Sequence, residues 1–307
     1  MRRLLARETI AVPGAAGPGW RFGLAALAPL VALMLAASVI PFAIMLWLSL
    51  SDFSFNLPGH DGSYVGLANY AAAWSDQRFH ASLRLQALFI FVTVAPEFLL
   101  GLLFALAIWH GRRLTSVTLV LIALPLIIAP ITVGMIWRLL LHGDYGPLGF
   151  YLSAMFTRDN ASVLGSPNYA FMAVVLVDIW QWTPFFVIAL LAALAKLPRE
   201  PHLAAQADGA STLQVVRTVT LPLLRPTFVI VILLRIMDSF KEYDKIFVLT
   251  RGGPASATEL VSPFTWIVAF DHGDLAYGSA ITVILYIAIY GLCTLLFSVL
   301  RSGAAAR

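Results

Sequence analysis

Six long apolar runs, separated by polar connections, constrain this chain more than any other feature of its sequence. A membrane-crossing helix needs roughly 20 apolar residues, and each run provides that length. Hydrocarbon offers no hydrogen-bond partners to the backbone, so a crossing segment must satisfy its own N–H and C=O groups, as an α-helix does. The alternation of apolar and polar residues typical of membrane β-strands is absent. The runs cover residues 24–50, 85–109, 117–141, 169–194, 227–249 and 278–300.

The composition excludes a soluble protein. Of 307 residues, 60% are hydrophobic and only 12% are charged, whereas soluble domains contain roughly 25% charged residues. The net charge of +4 comes from basic residues in loops rather than from a basic soluble domain, so we expect no nucleic-acid partner. Cys293 is the single cysteine, which excludes an intrachain disulfide and a cysteine-based metal site. We therefore predict an all-α integral membrane protein with six transmembrane helices, surrounded by membrane lipid.

The positions of Lys and Arg predict the orientation. With the amino terminus inside the cell, twelve basic residues fall in cytoplasmic segments and four in the opposite loops. Basic residues are enriched in cytoplasmic loops of membrane proteins, so both termini and the connection 197–226 are predicted to be cytoplasmic. The twelve are Arg2, Arg3, Arg7, Arg21, Arg112, Arg113, Lys196, Arg199, Arg217, Arg225, Arg301 and Arg307, and the four are Arg78, Arg84, Arg158 and Arg251.

Three segments follow from this topology. We predict a cytoplasmic amino-terminal segment at 1–23, a transmembrane domain at 24–300 and a cytoplasmic tail at 301–307. The first apolar run exceeds the roughly 7–15 residues of a cleavable signal sequence, so it is interpreted as an uncleaved span. Prolines inside the runs predict kinks, which membrane helices tolerate because neighbouring helices satisfy the freed carbonyls. These prolines are Pro29, Pro41, Pro96, Pro125, Pro130 and Pro184.

The polar connection 197–226 has the pattern of two short helices around a turn. Pro198 and Pro201 are expected to end the preceding helix, and the alanine-rich segment 203–207 favours a new one. Asp208 and Gly209 form a turn signal, after which Ser211 can cap a second helix. From these residues alone, an amphipathic segment on the inner leaflet and a docking site for a partner are both open.

The spacing of this connection resembles a loop of a known family. Leu203-Ala204-Ala205, then Gly209, then Leu221-Pro222 resemble the "EAA…G…LP" loop in permease subunits of binding-protein-dependent ABC importers. Other fragments, in the same order, resemble the carbohydrate permeases of the maltose and glycerol-3-phosphate class, and together they extend the resemblance over residues 29–300. They are VGLANY at 65–70, PLIIAPITVGMIW at 125–137, LTRGGP at 249–254, AF at 269–270 and AYGSA at 276–280.

The resemblance implies a type I ABC importer permease fold in which the connection 197–226 forms a cytoplasmic coupling helix on an ATPase. It also implies a multi-pass protein of the bacterial inner membrane that imports a sugar, oligosaccharide or polyol. The implied partners are a second homologous permease subunit, two ATPase subunits that carry ATP and Mg²⁺, and an extracytoplasmic solute-binding protein. The chain itself is expected to bind no cofactor or metal and to be no enzyme, since it lacks a GxxxxGK[ST] phosphate loop.

Leu203 departs from the family pattern, because the family has a glutamate at this position of the loop. The role of the family's glutamate therefore cannot be assigned to Leu203. Glu200 lies one helical turn earlier on the same face. Our hypothesis is that Glu200 or Asp208 takes over the polar contact and that Leu203 packs into a groove of the ATPase.

Charged residues in the fifth run mark a candidate substrate pathway. Arg235, Asp238 and Glu242 share one helical face by their i, i+3, i+7 spacing, and charges within a bilayer indicate a pathway, an ion pair or a cavity. Local pairing of Arg235 with Asp238, or of Lys241 with Asp244, is the alternative explanation. A secondary transporter that uses these carboxylates as a proton relay is the alternative function.

Polar residues on two other runs complete the candidate pathway. Asp178 and Gln181 of the fourth run lie beside Trp180 and Trp182, and aromatic faces with polar neighbours suit sugar rings. Such tryptophans are also ordinary packing residues. Resembling permeases line their cavity with the fifth and sixth spans, which adds Ser279 and Thr282. Glu97 and Arg138 are interpreted as structural.

Overall fold

A computed structural model describes residues 20–56, 58–111, 116–156 and 162–305. These residues are nearly all helical, and the described part contains a single isolated β-bridge, between Ser51 and Tyr64. The all-helical prediction is confirmed. Most of the predicted segment 1–23, residues 306–307 of the tail, and Arg112, Arg113 and Arg158 lie outside the described residues.

The described ranges hold thirteen α-helices. They are α1 (Trp20–Ser49), α2 (Ala68–Ser75), α3 (Gln77–Gly111), α4 (Ser116–Ile127), α5 (Pro130–Leu140), α6 (Pro147–Phe156), α7 (Pro167–Leu194), α8 (Glu200–Ala207), α9 (Thr212–Val215), α10 (Leu221–Ser239), α11 (Asp244–Leu249), α12 (Val261–Trp266) and α13 (Leu275–Ala305). A 3₁₀ turn spans Val163–Gly165, and π-helical turns span Val216–Thr220 and Ile267–Asp271.

Several of these helices are long and apolar enough to cross a membrane. Within the described ranges, five segments meet this criterion: Ala25–Ser49, Gln77–Gly111, Pro167–Leu194, Thr212–Ser239 and Leu275–Leu295. The helical segments Val117–Ile127 and Pro130–Leu140 are bent by 87° relative to each other. If they form one broken span, the number of candidate spans is six. The segments fall on the six predicted runs, although α3 begins eight residues before the second run.

The third run is broken where Pro130 begins α5. Proline has no backbone N–H and cannot continue the hydrogen-bond ladder. The carbonyl of Ile128, in the break, accepts a hydrogen bond of 3.2 Å from the side-chain amide of Gln181 on α7. A neighbouring helix thus supplies a donor to a backbone carbonyl at the break in the helix, as expected for a membrane helix. The other prolines of the runs lie inside helices that continue through them.

The predicted fifth span 227–249 is wrong at its carboxyl-terminal end. Helix α10 ends at Ser239, a turn follows, and the separate short helix α11 starts at Asp244. The segment 238–244, which contains this turn, carries four charged residues. Its backbone is held from outside, because the Ser239 carbonyl accepts a 3.1 Å hydrogen bond from Gln86 on α3. A uniform helix could not place the charged side chains as the structure does.

The chain from Leu48 onward forms one compact unit, and the described residues 20–47 do not belong to it. In this unit, α3 and α7 pack around Val94, Phe186 and Leu190. The two helices can approach closely because residue 101 of α3 is glycine. A Cβ at this position would lie 2.3 Å from Phe186 Cβ of α7. A second cluster joins these helices to α5 and α11.

The connection between α2 and α3 is tied to α13 through Asp76. Its carboxylate accepts a hydrogen bond of 2.7 Å from the Tyr277 hydroxyl and another from the Arg78 N–H. Burial of this carboxyl opposes ionisation, yet the hydrogen bonds outweigh burial and lower the pKa of Asp76. The contact therefore stays charge-assisted at neutral pH.

Candidate functional site

Five charged side chains from five parts of the chain meet in the interior. Glu97 comes from α3, Asp178 from α7, Arg235 from α10, Glu242 from the turn after α10, and Lys245 from α11. All five are buried, and the most exposed of them, Glu242, shows only 7% of its surface. We call them the ion network.

Arg235 is the centre of the ion network. Its Nε and Nη2 donate to the two Glu97 oxygens at 2.8 and 3.0 Å, a bidentate pairing. Nη2 also donates to Asp178, and Nη1 donates to Ser239 Oγ at 2.8 Å. The alternative explanation, a local pair of Arg235 with Asp238, is therefore wrong. The partners come from α3 and α7, far away in the sequence.

Lys245 extends the ion network toward the α4–α5 break. Its ammonium donates to Asp178 at 2.5 Å and to Gln181 at 3.0 Å, and it lies 3.2 Å from Glu242. Asp178 is thus shared by two cations. Buried charges lose their hydration, and their mutual attraction offsets that loss only when the geometry satisfies every group. The interpretation of Glu97 as structural is consistent with its position in this network.

A cavity of about 340 Å³ adjoins the ion network. It lies between the α4–α5 break, α7 and the turn after α10. The indole Nε1 of Trp182 is buried and has no hydrogen-bond partner among the described residues. Its ring also faces the Arg235 guanidinium at 4.6 Å. The lining residues are Leu126, Ile128, Pro130, Gln181, Trp182, Asp238, Lys241, Glu242, Tyr243 and Asp244.

A second cavity, of about 630 Å³, lies between the same turn, α12 and α13. One wall carries a row of aromatic rings: Trp266 lies 5.1 Å from Tyr243 and 4.2 Å from Phe270 between ring centroids. Ser279 and Thr282 of α13 also line this cavity. Lys241 and Tyr243 line both cavities.

The candidate pathway residues therefore separate into three groups. Gln181, Asp238 and Glu242 line the smaller cavity, and Ser279 and Thr282 line the larger one. Asp178 is enclosed in the ion network. Sequence reasoning missed the structural role of Lys245 and the cavity walls formed by Tyr243 and Trp266. Their lysine and aromatic character was visible in the sequence, but the break after Ser239 that positions Tyr243 and Lys245, and the short helix α12 that carries Trp266, were not.

The connection 197–226 forms the predicted short helix α8 and the turn after it, but the second predicted helix is not short, because α9 continues through the π-helical turn into α10. Gly209, between α8 and α9, has a φ of +82°, a conformation that glycine adopts without strain. Ser211 and Gln214 form a reciprocal capping box at the start of α9. Pro201 differs from expectation: it lies in the first turn of α8, where its missing N–H costs no hydrogen bond.

His202 fixes α8 to the end of the connection. One ring nitrogen lies 3.0 Å from the Pro198 carbonyl and the other 3.1 Å from the Thr220 hydroxyl. The outer face of α8 and α9 is uncovered, since Leu203 is 62% and Leu213 is 74% exposed. Ala204, Glu200 and Asp208 are exposed beside them and Ala205 is half-buried. Leu221 and Pro222 begin α10 directly after the π-helical turn.

Comparison with known families decides the classification. Residues 97–304 match the family described as "Binding-protein-dependent transport system inner membrane component". The chain belongs to this family. It is therefore a multi-pass inner-membrane component of a transport system. The matched segment contains the ion network, both cavities and the connection 197–226.

Individual relatives of this permease family cover most of the chain. The probable ABC transporter permease protein y4oQ of Sinorhizobium fredii is 34% identical over 90% of this chain and 89% of its own length. The trehalose/maltose transport system permease protein MalF of Thermococcus litoralis is 33% identical over 88% and 90%. A chain in the crystal structure of a bacterial ABC transporter that imports alginate superposes with a TM-score of 0.72, covering 92% of this chain and 98% of that one at 18% identity. That likeness confirms the permease fold.

Proposed function

We propose that this family member is the membrane-spanning permease subunit of an ATP-driven importer and that its solute is a carbohydrate. One observation carries the proposal: the exposed α8–Gly209–α9 connection runs directly into α10, the helix that bears Arg235. We propose six spans with both termini cytoplasmic, a transmembrane domain over 24–300, and α8 as the coupling helix. The similarity to the trehalose/maltose transport system permease protein of Thermococcus litoralis supports the carbohydrate assignment.

The connection can transmit movement because the backbone stays helical from Thr212 to Ser239. At 1.5 Å per residue, the distance from Thr212 to Arg235 along this helix is about 35 Å. A partner that displaces α8 and α9 therefore also displaces Arg235 relative to Glu97 and Asp178. We propose that two ATPase subunits, binding ATP and Mg²⁺, exert this displacement, while this chain binds no cofactor.

The remaining partners follow from the family. A second homologous permease subunit would form the other wall of the pathway, and an external solute-binding protein would deliver the sugar. Proteins of this class enclose their pathway between two permease subunits, so each cavity of a single chain represents half a site. The exposed Glu200 and Asp208 are our candidates for the polar contact with the ATPase that Leu203 cannot make.

The two cavities have the chemistry that a sugar requires. Pyranose rings present C–H faces that pack on aromatic side chains, and Tyr243 with Trp266 offers such faces. Hydroxyl rims need donors and acceptors, which Asp238, Ser279 and Thr282 provide. The unpartnered Trp182 indole N–H adds a donor, and a buried donor without a partner is uncommon unless a ligand completes it.

Uptake into proteoliposomes tests the function. The assembled importer, with its binding protein and a panel of radiolabelled sugars, is expected to accumulate solute only with ATP and not with a non-hydrolysable analogue. A protonophore is expected to leave the rate unchanged. Uptake without any ATPase subunit, abolished by the protonophore, would replace the importer with the proton-coupled alternative. Binding of the same sugar panel to the isolated binding protein identifies the solute.

A further inference from the structure

A third cavity, of about 410 Å³, lies apart from the two described above, where the end of α5 meets α11. Two arginines, Arg138 and Arg251, contribute to its wall together with His142. Neither arginine forms an ion pair with a carboxylate within the described part of the chain. Asp144 lies 3.9 Å from His142 and is almost fully exposed. The wall is therefore strongly cationic.

Internal contacts hold the cationic groups in place. Arg138 Nη1 donates to the Val248 carbonyl at 2.8 Å, which uses one arm of the guanidinium and leaves the remaining N–H groups available. Arg251 lies over the Phe247 ring at 5.5 Å. His142 stacks on Tyr145 with 3.7 Å between ring centroids. Two guanidinium forks that share one cavity fit an oxyanion with several acceptor oxygens.

The same wall also has an apolar part that is exposed at the surface of the chain. Met135 and Leu139 lie next to Arg138 along α5 and are 58% and 59% exposed. The apolar run ends at Leu141, and His142, Gly143 and Asp144 follow it. The cavity thus lies where the chain leaves the hydrocarbon layer. Tyr145 at this level is typical of the membrane interface.

We propose that this cavity binds the headgroup of an anionic phospholipid, with the phosphodiester at Arg138 and Arg251 and an acyl chain along Met135 and Leu139. A free phosphate or a small acidic solute would use the arginines but would leave the apolar strip exposed. A zwitterionic lipid would cover the strip but would bring its own cation near the arginines. An anionic phospholipid matches both parts of the wall.

Native mass spectrometry of the assembled importer tests this site. Phosphatidylglycerol or phosphatidylcholine is titrated onto the delipidated complex, and bound lipids are counted for the wild type, Arg251→Gln and the double variant Arg138→Gln/Arg251→Gln. We expect the phosphatidylglycerol affinity of this site to fall about fivefold for each arginine removed, and phosphatidylcholine retention to be unchanged. Arg84→Gln, an exposed arginine on α3, is the matched control and should behave as the wild type.

Three results would overturn the proposal. The first is equal phosphatidylglycerol retention by the wild type and both variants, and the second is equal retention of the two lipids by the wild type. The third is displacement of phosphatidylglycerol by inorganic phosphate at a matched concentration, which would make this a site for a free anion. If the double variant fails to assemble because Arg138 also caps α11, Arg251→Gln alone decides the outcome, since the described contact of that guanidinium is with the Phe247 ring.

Discussion

Arg235 connects three helices through side-chain atoms alone. Its guanidinium pairs with Glu97 of α3 and Asp178 of α7 and also holds Ser239 at the end of its own helix. Both carboxylates are buried, so each depends on this cation to offset the lost hydration of its charge. The two cations Arg235 and Lys245 face three carboxylates, so removal of either cation leaves three buried acidic groups with a single cation.

Replacing Arg235 by Gln is expected to destabilise the protein strongly. Breaking a buried ion pair from one side typically costs about 3–5 kcal/mol. The thermal midpoint of the purified complex should fall by several degrees, and its yield should fall with it. The exposed Arg217→Gln should leave both unchanged, and Glu97→Gln combined with Arg235→Gln should recover part of the loss. An unchanged midpoint for Arg235→Gln alone would show that the network contributes little to stability.

Asp238 differs from the network residues because it is only half-buried and lines a cavity. Asp238→Ala is therefore expected to reduce the initial rate of sugar uptake about tenfold or more, since a carboxylate–hydroxyl hydrogen bond contributes about 1.5–3 kcal/mol. Glu242→Ala should also reduce uptake, with an added loss of stability because Lys245 loses a partner. Asp61→Ala, in an exposed loop, is the control. Wild-type uptake by Asp238→Ala would remove this residue from the pathway.

The elements of this protein depend on glycine at two kinds of position. At Gly209 the backbone itself requires glycine, because φ is positive while the space around a Cβ is open. At Gly101 the backbone is helical, and the missing Cβ allows α3 and α7 to approach. The first glycine shapes the connection, and the second sets the distance between two spans.

Gly209→Ala is expected to strain the turn between α8 and α9 by about 1–2 kcal/mol, because L-residues disfavour the left-handed region. ATP-dependent uptake should fall while the complex still assembles. Gly209→Asn should retain more activity, since asparagine tolerates this conformation better than alanine. Equal activity of the two variants would mean that the shape of this turn does not govern coupling.

Gly101→Ala is expected to force α3 and α7 apart, because the new Cβ would lie 2.3 Å from Phe186 Cβ. Overpacking of this kind costs about 1–3 kcal/mol. Gly111→Ala, in the same helix, has no atom within 4 Å of its new Cβ and serves as the control. The thermal midpoints of the two variants measure the difference, and a midpoint for Gly101→Ala equal to that of Gly111→Ala would contradict the close contact.

On the scale of the whole molecule, the proposed mechanism requires that the connection 197–226 and the loop around Ser63 lie on opposite sides of the membrane. The distribution of basic residues predicts this arrangement. It also places the ATPase contact and the delivery of solute on opposite faces, as an importer needs.

Cysteine labelling tests this topology. In a Cys293→Ser background, Ser63→Cys is expected to react with a membrane-impermeant maleimide in intact cells with a permeabilised outer envelope. Ser211→Cys should react only after the inner membrane is opened. Both serines are exposed, so unequal labelling reports sidedness rather than burial. Labelling of Ser211→Cys from outside would invert the orientation and exclude an ATPase contact at α8.

The sequence alone determined the helical class, the positions of the apolar runs, the turn at Gly209 within the 197–226 connection and the family. Each of these depends on local length, composition or turn chemistry, which a single segment already specifies. Only the tertiary structure decided that Arg235 pairs with Glu97 and Asp178 rather than with Asp238. It also decided that α10 stops at Ser239. Both outcomes follow from charges on separate helices that must find partners once packing removes them from water, and such partners cannot be read from spacing within one run.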